Sequence, residues 1–318
     1  MRLSDVDRAH AAFDMTDTKL EPTALRGAGS AGAAAAATVL VGPRVSPAGG
    51  VVIDGLDLSQ PVSAAASLQV LAAFREHHVV IFHDQTLGRE QQFAFAATIG
   101  EVERSPAHKS QNKRYDVAHI ISNVGADGRP VDRAASAVSN YNWHTDKPYY
   151  REPPMMTALY AVEMPPCGGD TEFANTALAY DALMPEVKRR IAGLRVVFCW
   201  GAAARGLPGE PAGAGHAKGE AVDHPLVRTH PETGAKALYL GNHSSHILGW
   251  PTAAGRALLD ELLVHATRPK FVYAHRWRVG DLVMWDNRCL LHRAVANFAL
   301  DQHRRVLHRT VVRGTVPF

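Results

Sequence analysis

Two residues that can ligate a metal ion, His144 and Asp146, lie two positions apart in the chain. In an extended strand the side chains alternate between two faces, so these two point to the same side with Cα atoms about 7 Å apart. An imidazole nitrogen and a carboxylate oxygen together suit a divalent metal of intermediate softness, and one further histidine would complete the ligand set typical of non-haem Fe(II) oxygenases. The pair therefore predicts a metal site that needs a third ligand.

The spacing of the pair carries little weight alone, because a chain with 17 histidines contains about one His-x-Asp by chance. A competing pair, His230 and Glu232, flanks a proline and runs into a Thr-Gly dipeptide, which is the composition of a turn. We therefore favour His144 and Asp146 and interpret the competing pair as part of a loop.

His292 is the candidate for the third ligand. It lies 148 positions after His144, just past a strongly hydrophobic strand, where a loop side chain could reach the mouth of a barrel. An isolated histidine beside a core strand is more often structural. The residues that follow His292 give it more weight than its position alone.

Those residues include Arg305 and Arg309, on or beside the last predicted strand. Strand alternation places both on one face with Leu307 and separates them by about 13 Å. Guanidinium groups on an inward face need anionic partners, because a buried unpaired cation is very costly. A dicarboxylate cosubstrate and an anionic substrate would account for both arginines. Ion pairs with acidic residues across the sheet are the equally weighted alternative.

The elements that must position these residues are mainly strands. Strands are predicted at 79–82, 157–162, 237–240, 271–277, 281–285 and 306–312. Residues 165–173 are predicted as a tight turn that leads into a strand, another strand begins near 226, and His144 and Asp146 lie on a strand of their own. Helices are predicted at 64–77, 88–98, 175–183, 185–194 and from Thr252, which serves as the N-cap. Many short strands, with helices before and between them, favour a β-sandwich or barrel decorated by helices over alternating βαβ units.

Composition excludes several classes of protein. The net charge is +3 and no segment is dense in Lys or Arg, so we expect no nucleic-acid partner. Three cysteines, Cys167, Cys199 and Cys289, lack a Cys-x-x-Cys spacing, which disfavours a zinc site or a disulfide framework. No apolar run is long enough for a membrane span. We expect a soluble, cytoplasmic protein, and whether it forms a homo-oligomer is left open.

Domain organisation is predicted to be simple. Residues 1–45 are rich in alanine and glycine and are interpreted as a poorly ordered extension, or alternatively as a short helix. Residues 46–318 form a single domain whose fold begins near Val51. Residues 100–140 are either a lid over the site or an ordinary solvated loop, and residues 201–222 are a loop or insertion.

Five segments occur in a fixed order: NWHTD at 142–146, GGDTEF at 168–173, HPLVRTHPETG at 224–234, GDLVMWDNRCLLH at 280–292 and HRRVLHR at 303–309. Together they resemble the taurine / 2,4-dichlorophenoxyacetate dioxygenase family. The resemblance extends from about Val51 to Phe318. It implies a double-stranded β-helix, or jelly-roll, core decorated by α-helices, and an enzyme that uses Fe(II), 2-oxoglutarate and O₂.

The resemblance also implies roles for individual residues. His144, Asp146 and His292 would be the three iron ligands. Arg305 matches the arginine that binds the distal carboxylate of 2-oxoglutarate, and Thr171 matches the hydroxyl donor to the same cosubstrate. Oxidative decarboxylation to succinate and CO₂ would be coupled to hydroxylation of a substrate carbon.

The substrate is expected to be a small organic anion. Arg309 matches the position that meets its anionic group, and His108 or Lys109 would supply a second cation unless they are simply solvated. The segment NHSSHILGW at 242–250 resembles the branch that cleaves aryloxyalkanoates at the ether bond. A taurine, alkylsulfonate or alkyl-sulfate dioxygenase is the alternative. A non-catalytic metal-binding jelly-roll protein or a zinc hydrolase is the alternative from another class.

Aromatic residues near these segments have two interpretations. Tyr141, Tyr149 and Tyr150 would line an aromatic pocket or pack at the strand ends. Trp143 and Trp285 are expected to pack around the metal ligands and the cosubstrate, and as core aromatics they need no catalytic role.

Overall fold

The computed structural model describes residues 38–106, 115–116, 118–132, 138–200 and 221–318. Its helices are α1 (Ala64–His77), α2 (Arg89–Ile99), α3 (Val138–Tyr141), α4 (Thr176–Asp181), α5 (Pro185–Ile191) and α6 (Thr252–Ala266). Its strands are β1 (Leu40–Ser46), β2 (Gly49–Asp54), β3 (Val79–Phe82), β4 (Ser105–Pro106), β5 (Tyr115–Asp116), β6 (His119–Ser122), β7 (Met156–Glu163), β8 (Thr171–Asn175), β9 (Arg195–Phe198), β10 (Val222–Pro225), β11 (Val227–Thr229), β12 (Lys236–Leu238), β13 (Ser244–Ile247), β14 (Val272–His275), β15 (Leu282–Asp286), β16 (Leu290–Ala294) and β17 (Val306–Val312).

Two sheets among these strands form the centre of the fold. The larger sheet has the order β1-β2-β3-β15-β7-β17-β6, and its neighbours are antiparallel except for β2 with β3. The smaller sheet has the antiparallel order β14-β8-β16. Residues of both sheets share one buried cluster, so the sheets pack face to face. Three further small sheets, β10-β9-β13, β11-β12 and β4-β5, complete the pattern.

The alternation of side chains along β15 shows how the larger sheet is buried on both faces. Val283 and Trp285 join the cluster between the two sheets, whereas Leu282 and Met284 join a cluster with α1 and α2 on the other face. Because both faces are buried, the strand reads as an unbroken apolar run. The same reason explains the apolar runs of β3 and β7.

Helices cover the outer faces of both sheets. Ser63 caps α1 by accepting a hydrogen bond from the backbone N–H of Ala66, and Phe74 of this helix is fully buried. Residues of α4 and α6 pack in a third cluster with the smaller sheets, to which Leu258 and Leu262 contribute. No helix in the described part of the chain is both long and apolar enough to cross a membrane.

The predicted class, a mainly β jelly-roll core with helices, is confirmed. The predicted helix at 64–77 and strands at 79–82 and 306–312 coincide with α1, β3 and β17. The strand predicted at 271–277 is shorter, because β14 ends at His275 and Trp277 lies in the following turn. The predicted insertion at 201–222 falls mostly on residues outside the described part, as does most of the predicted N-terminal extension.

Four predictions about local structure were wrong. The segment with His144 and Asp146 is not a strand; it makes one isolated β-bridge, because it meets no continuous partner. His292 lies within β16, not in a loop, because β8 extends the pairing past it. Thr252 is the first residue of α6 and makes no cap; Pro251 precedes it. The fold begins before Val51, with β1, whose residues are mostly exposed and give no apolar pattern.

Strand parity directs several side chains into the space between the two sheets. Leu307 on β17 and Phe173 on β8 are buried there. Residues two positions away from these point the same way, so Arg309 shares the face of Leu307, and Thr171 shares the face of Phe173. The same rule on β16 turns His292 towards this space, where Leu290 is buried. The sandwich thus gathers polar side chains at one end of its core.

Candidate metal centre and active-site cavity

His144, Asp146 and His292 lie together. One donor atom from each of them lies within 4.8 Å of the others. The Nε2 atom of His292 is 3.9 Å from Oδ2 of Asp146. All three side chains are buried, with 7% of each residue exposed. The third ligand predicted from the sequence is therefore next to the first two.

Backbone pairing brings the two histidines together. The N–H of His144 donates to the carbonyl of His292 at 3.0 Å, and the N–H of His292 donates back to the carbonyl of His144 at 2.7 Å. Their rings are 4.1 Å apart between centroids. In an antiparallel bridge, directly opposed residues project to the same side of the pair. The bridge thus sets the separation of the two imidazoles.

Each imidazole is held by its surroundings. Nδ1 of His144 is 2.8 Å from the carbonyl of Asn142 and donates its proton there, which leaves the Nε2 lone pair for a metal. The His292 ring packs against Trp285 and Phe173, at centroid distances of 4.7 and 6.4 Å. Nδ1 of His292 is buried and has no hydrogen-bond partner among the described residues. The ring orientation of His292 therefore rests on packing.

Asp146 is held by a hydrogen-bond network. Thr157 on β7 donates its hydroxyl proton to Oδ2 of Asp146. Asn287 donates to the Thr157 hydroxyl at 3.0 Å, and its Oδ1 accepts from the backbone N–H of Asp146 at 3.4 Å. The indole N–H of Trp285 donates to the same Oδ1 at 3.1 Å. Thr157, which Asn287 and Trp285 support in turn, therefore fixes the carboxylate through one of its oxygens.

The protonation states of the three residues fit a cation. Burial, reinforced by the neighbouring His144, lowers the pKa of His292 to about 3, and burial also lowers the pKa of His144. Burial alone would raise the pKa of Asp146, but electrostatic interactions, first with His292 and then with the Arg309 guanidinium, outweigh it and hold that pKa well below its usual range. Two neutral imidazoles and one carboxylate, with donor atoms converging, are the ligand set that divalent iron takes.

A second group of donor atoms, from His78, Asp286 and Cys289, is equally close. Asp286 accepts two hydrogen bonds from Arg288, at 2.8 and 2.7 Å, and one from His230 at 3.0 Å. Because a guanidinium already binds both carboxylate oxygens, this group is not favourable for a cation. His230, from the competing His-x-Glu pair, belongs to this network and not to the candidate metal centre.

Arg305 lies beside Thr171, as the sequence motifs led us to expect. Its Nε donates to the carbonyl of Gly169 at 2.9 Å, and its Nη2 donates to the Thr171 hydroxyl at 3.3 Å. Gly169 has φ +73°, and a Cβ there would be 3.3 Å from Arg305 Nε, so this turn favours glycine. Burial lowers the pKa of Arg305 to about 10. No Asp or Glu among the described residues forms an ion pair with it, which leaves its charge available to an anion.

Arg309 has a different partner. Its Nη1 lies 3.8 Å from Oδ1 of Asp146, and its Nε is buried without a hydrogen-bond partner in the described part. The interpretation with acidic partners therefore fits Arg309, whereas Arg305 forms no ion pair among the described residues. The interpretation with two anionic ligands stays a prediction. Arg304, which precedes Arg305, forms an exposed ion pair with Glu163.

A cavity of about 300 Å³ joins the candidate metal centre to the two arginines. Its lining combines the candidate site residues with apolar and polar neighbours. The lining residues are His119, Ile120, Ile121, Ser122, Asn123, Asn140, Tyr141, His144, Asp146, Leu159, Thr171, Trp285, His292, Ala294, Phe298, Arg305 and Arg309. A volume of this size fits a small organic molecule, with polar groups concentrated at a few points.

Other predicted residues have different positions. Tyr141 lines the cavity, but Tyr149 and Tyr150 do not: Tyr149 packs against His243, and Tyr150 is exposed. His108 and Lys109 lie outside the described residues, so their role stays a prediction. Of the segment predicted as a lid or loop, residues 107–114, 117 and 133–137 lie outside the described part, and the rest includes β4, β5, β6 and the start of α3. Whether this segment closes over the site stays a prediction.

Sequence reasoning missed the residues that hold the candidate ligands. The contacts of Thr157 and Asn287 depend on how distant strands align, so no local pattern marks them. The contact from Asn142 is local, but it is made by a backbone carbonyl, which every residue carries. His243, whose ring centre is 6.5 Å from that of His144, was also missed. Only its place in the NHSSH segment, within a quoted motif, could have drawn attention to it.

Comparisons with known proteins agree with this geometry. Residues 42–311 match the family described as "Taurine catabolism dioxygenase TauD, TfdA family". The chain is 40% identical to an alpha-ketoglutarate-dependent 2,4-dichlorophenoxyacetate dioxygenase from Cupriavidus pinatubonensis, over 76% of this chain and 87% of that protein. It is 34% identical to an (S)-phenoxypropionate/alpha-ketoglutarate-dioxygenase from Sphingobium herbicidovorans, over 82% of this chain and 91% of that protein.

A solved structure is similar over nearly its whole length. It is that of AAD-2 in complex with Mn(II) and N-oxalylglycine, with a TM-score of 0.76 and 34% sequence identity. The similarity covers 88% of this chain and 98% of that one. The chain belongs to the TauD/TfdA family and is an oxidoreductase of the iron- and 2-oxoglutarate-dependent dioxygenase class.

Proposed function

We propose that His144, Asp146 and His292 hold Fe(II), that Arg305 and Thr171 bind 2-oxoglutarate, and that the substrate is an aryloxyalkanoate. The observation that carries the proposal is that two neutral imidazoles, a carboxylate and a guanidinium that forms no ion pair with a described residue line one cavity. A cation site and an anion site in one small cavity suit a metal and an organic acid that bind together.

The anion site suits the distal carboxylate of 2-oxoglutarate. Arg305 points its guanidinium at Thr171 and has donors left over, since Nε and Nη2 account for the hydrogen bonds that it makes to described residues. A guanidinium binds a carboxylate through two parallel hydrogen bonds. The low pKa of Arg305 would return towards its usual value when a carboxylate neutralises the cost of its burial.

The residues of the chain have separate tasks in the reaction. When bound, iron, 2-oxoglutarate and O₂ would supply the oxidation of a substrate C–H bond, with release of succinate and CO₂. The chain holds three ligands on one side of the metal position through the His144–His292 bridge and the Thr157 hydrogen bond to Asp146. The apolar residues of the lining would hold the target carbon beside the metal position.

The substrate proposal rests on the remaining part of the cavity. Arg309 offers a cation on the side of Asp146, and Ile121, Leu159 and Phe298 offer apolar surface for a ring. Hydroxylation of a carbon that bears an aryl ether oxygen gives a hemiacetal, which breaks down to a phenol and a carbonyl compound. The two relatives reported above, which are named for phenoxy acids, support the same substrate class.

A substrate panel tests this proposal. Succinate release would be measured with aryloxyacetates, both enantiomers of an aryloxypropionate, taurine and alkyl sulfates, in the presence of Fe(II), ascorbate and O₂. We expect the highest kcat/KM with an aryloxyalkanoate, and release of the corresponding phenol in a 1:1 ratio to succinate. A clear preference for taurine or an alkyl sulfate would reject the substrate class.

A sulfonate or alkyl-sulfate dioxygenase is the second candidate. Arg309 would bind a sulfonate or sulfate as readily as a carboxylate, and the family description names taurine catabolism. A non-catalytic metal-binding role is the candidate from another class. No succinate with any member of the panel, together with tight retention of Zn²⁺, would favour that role.

The binding partner and the location of the protein are proposed from the cavity volume and the free cysteines. We propose a small molecule and no nucleic acid as the binding partner, because the cavity holds about 300 Å³. We also propose a cytoplasmic location, since all three cysteines are free. Homo-oligomer formation stays open, and size-exclusion chromatography with light scattering measures it directly.

A further inference from the structure

Trp277 contacts Thr171, a residue of the candidate cosubstrate site, from outside the cavity. It lies in the turn between β14 and β15, and its indole Nε1 donates a hydrogen bond to the Thr171 hydroxyl at 2.9 Å. Both residues are buried, with 8% of Trp277 and 3% of Thr171 exposed. Trp277 is not part of the cavity lining, so it acts on the cavity only through residues such as Thr171.

The Thr171 hydroxyl has one proton to donate and two lone pairs that accept. Trp277 Nε1 and Arg305 Nη2 both donate to this oxygen, at 2.9 and 3.3 Å. Neither group can accept a hydrogen bond, because an indole N–H and a guanidinium are donors only. The two donors therefore occupy both lone pairs, and the hydroxyl proton has to be donated elsewhere.

No described residue accepts that proton, since the hydrogen bonds of the Thr171 hydroxyl are those from Trp277 and Arg305. Thr171 lines the cavity, so the free O–H can be donated to a ligand there. The acceptor has to be an oxygen beside Arg305, which is the position of a carboxylate that this guanidinium binds. With both lone pairs filled, the hydroxyl is selective for a hydrogen-bond acceptor, and the positive charge of Arg305 favours an anionic one.

The indole itself is held in place. His275 packs edge-on against the Trp277 ring, with centroids 4.7 Å apart and planes at 87°. Asp281 fixes both sides of this turn, because its Oδ2 accepts from His275 Nε2 at 3.1 Å and from the backbone N–H of Arg278 at 2.9 Å. The turn closes at Gly280, which has φ +88° and donates to the carbonyl of Ala161 at 3.0 Å. The donor thus has a fixed direction before any ligand arrives.

We propose that Trp277 is a positioning residue, whose indole N–H turns the Thr171 hydroxyl so that its proton is donated to the distal carboxylate of 2-oxoglutarate. The proposal rests on the proposed function, in which Arg305 and Thr171 bind that carboxylate. Trp277 would make cosubstrate binding more favourable although it does not contact the cosubstrate. The Thr171 hydroxyl, whose direction is already fixed, loses less rotational freedom on binding.

Binding of 2-oxoglutarate to the Mn(II)-loaded full chain tests the proposal by calorimetry, without turnover. Trp277→Phe keeps a buried ring and removes the N–H, and we expect a Kd about tenfold higher, the scale of one hydrogen bond. Mn(II) affinity and the binding of pyruvate, which lacks the distal carboxylate, are expected to be unchanged. Trp250→Phe, which alters a tryptophan of the cluster around α6, is the matched control and should bind like the unaltered chain.

A double-mutant cycle separates positioning from a general structural effect. Thr171→Val removes the hydroxyl, and in that background Trp277→Phe is expected to have no further effect on the Kd of 2-oxoglutarate. An equal weakening in both backgrounds, weaker pyruvate binding, or an unchanged Kd in Trp277→Phe would overturn the proposal. If the unaltered chain binds no 2-oxoglutarate with Mn(II), the proposed function fails as well.

A second measurement does not depend on the folding of the tryptophan variant. The chain has five tryptophans, so the ¹⁵N-labelled Zn(II) protein gives few indole N–H signals. We expect one of them to shift when 2-oxoglutarate is added, and the same signal to shift in Thr171→Val. If no indole signal responds to Thr171→Val, the hydrogen bond is absent in solution and the proposal is rejected.

Discussion

The two arginines of the cavity show how residues of one type acquire different tasks from their neighbours. Arg305 lies against the Gly169 carbonyl and Thr171, away from acidic side chains of the described residues. Arg309 faces Asp146. The sequence places both on one face of a strand, but only the side chains around them distinguish a guanidinium that awaits an anion from one that is already near a carboxylate.

Arg309→Ala is therefore expected to affect the substrate more than the cosubstrate. We expect the KM of the anionic substrate to rise about tenfold to a hundredfold, the range for a charged hydrogen bond, while the Kd of 2-oxoglutarate is retained. Steady-state kinetics and calorimetry measure the two quantities. Arg304→Ala, which removes an exposed ion pair with Glu163, is the control and should change neither. Equal loss of both affinities in Arg309→Ala would reject the role assigned to it.

Thr157 is the residue that we expect to tune the candidate metal centre. Thr157→Val keeps the shape and removes the hydroxyl that donates to Asp146. Loss of such an indirect contact typically costs about tenfold to a hundredfold in metal affinity. Titration with Mn(II) measures it, and Thr310→Val, a buried threonine on the neighbouring strand β17, is the control. A Mn(II) affinity equal to that of the control would contradict this role.

At the scale of elements, the sequence predicted best what is buried on both sides. The strand at Val79–Phe82 and the first four residues of the strand at Leu282–Asp286 are apolar because helices cover one face and the second sheet covers the other. By contrast, β1 at Leu40–Ser46 is an exposed edge strand, and no apolar period marks it. Strands that are buried on one face only, or on neither face, have no continuous apolar run by which the sequence could identify them.

The candidate site was predictable to a similar extent. Its residue types and motifs identified His144, Asp146, His292, Arg305 and Thr171. The side chains that hold Asp146 by hydrogen bonds were not predictable, because these contacts depend on the alignment of segments that are distant in sequence. The hydrogen bond between the Asp146 backbone and the Asn287 side chain, for instance, spans 141 positions. No local pattern encodes a contact of that length.

The turn between β15 and β16 is expected to be a stability element. Asp286 is fully buried and binds Arg288 and His230. Burial alone would raise its pKa, but Arg288 and His230 hold that pKa well below its usual range. Asp286→Asn leaves a buried guanidinium without its counter-charge, and we expect the free energy of unfolding to fall by about 3 kcal/mol, measured by urea unfolding at neutral pH.

The acid dependence of stability gives an independent check on Asp286. Its pKa is lower in the folded chain than in the unfolded chain, so its contribution is present above about pH 4 and is lost as the pH falls towards the folded pKa. Asp286→Asn should therefore lose less stability than the unaltered chain between about pH 6 and about pH 3. Asp301→Asn, at an exposed position, should follow the unaltered chain. Identical acid profiles for all three would contradict the assignment.

At the scale of the whole molecule, two sheets and the helices outside them build a core that reaches up to the cavity. The buried cluster between the sheets includes Phe173 and Trp285, and these two rings are also the packing surface of His292. Occupancy of the candidate metal centre is therefore coupled to the packing of the sandwich. A ligand that binds only the folded chain stabilises it by mass action.

Metal removal is expected to lower the thermal stability of the whole domain. Mn(II) at about a hundred times its Kd would add about 2.7 kcal/mol, which corresponds to a rise in Tm of several degrees for a domain of this size. Differential scanning fluorimetry with Mn(II) and with EDTA measures the difference. His144→Ala, which should also abolish succinate formation, is expected to show no such rise. A rise in Tm that persists in His144→Ala would show that the metal binds at another site.

The reciprocal hydrogen bonds between His144 and His292 have a kinetic consequence. They close a ring through the backbone from which both imidazoles project, so the ion would meet two nitrogen donors whose separation is already set, as in a rigid host and not an open-chain chelator. Rigid hosts of that kind exchange their guest slowly, because the donors cannot peel away one at a time. We therefore expect the ion to be retained through many catalytic cycles.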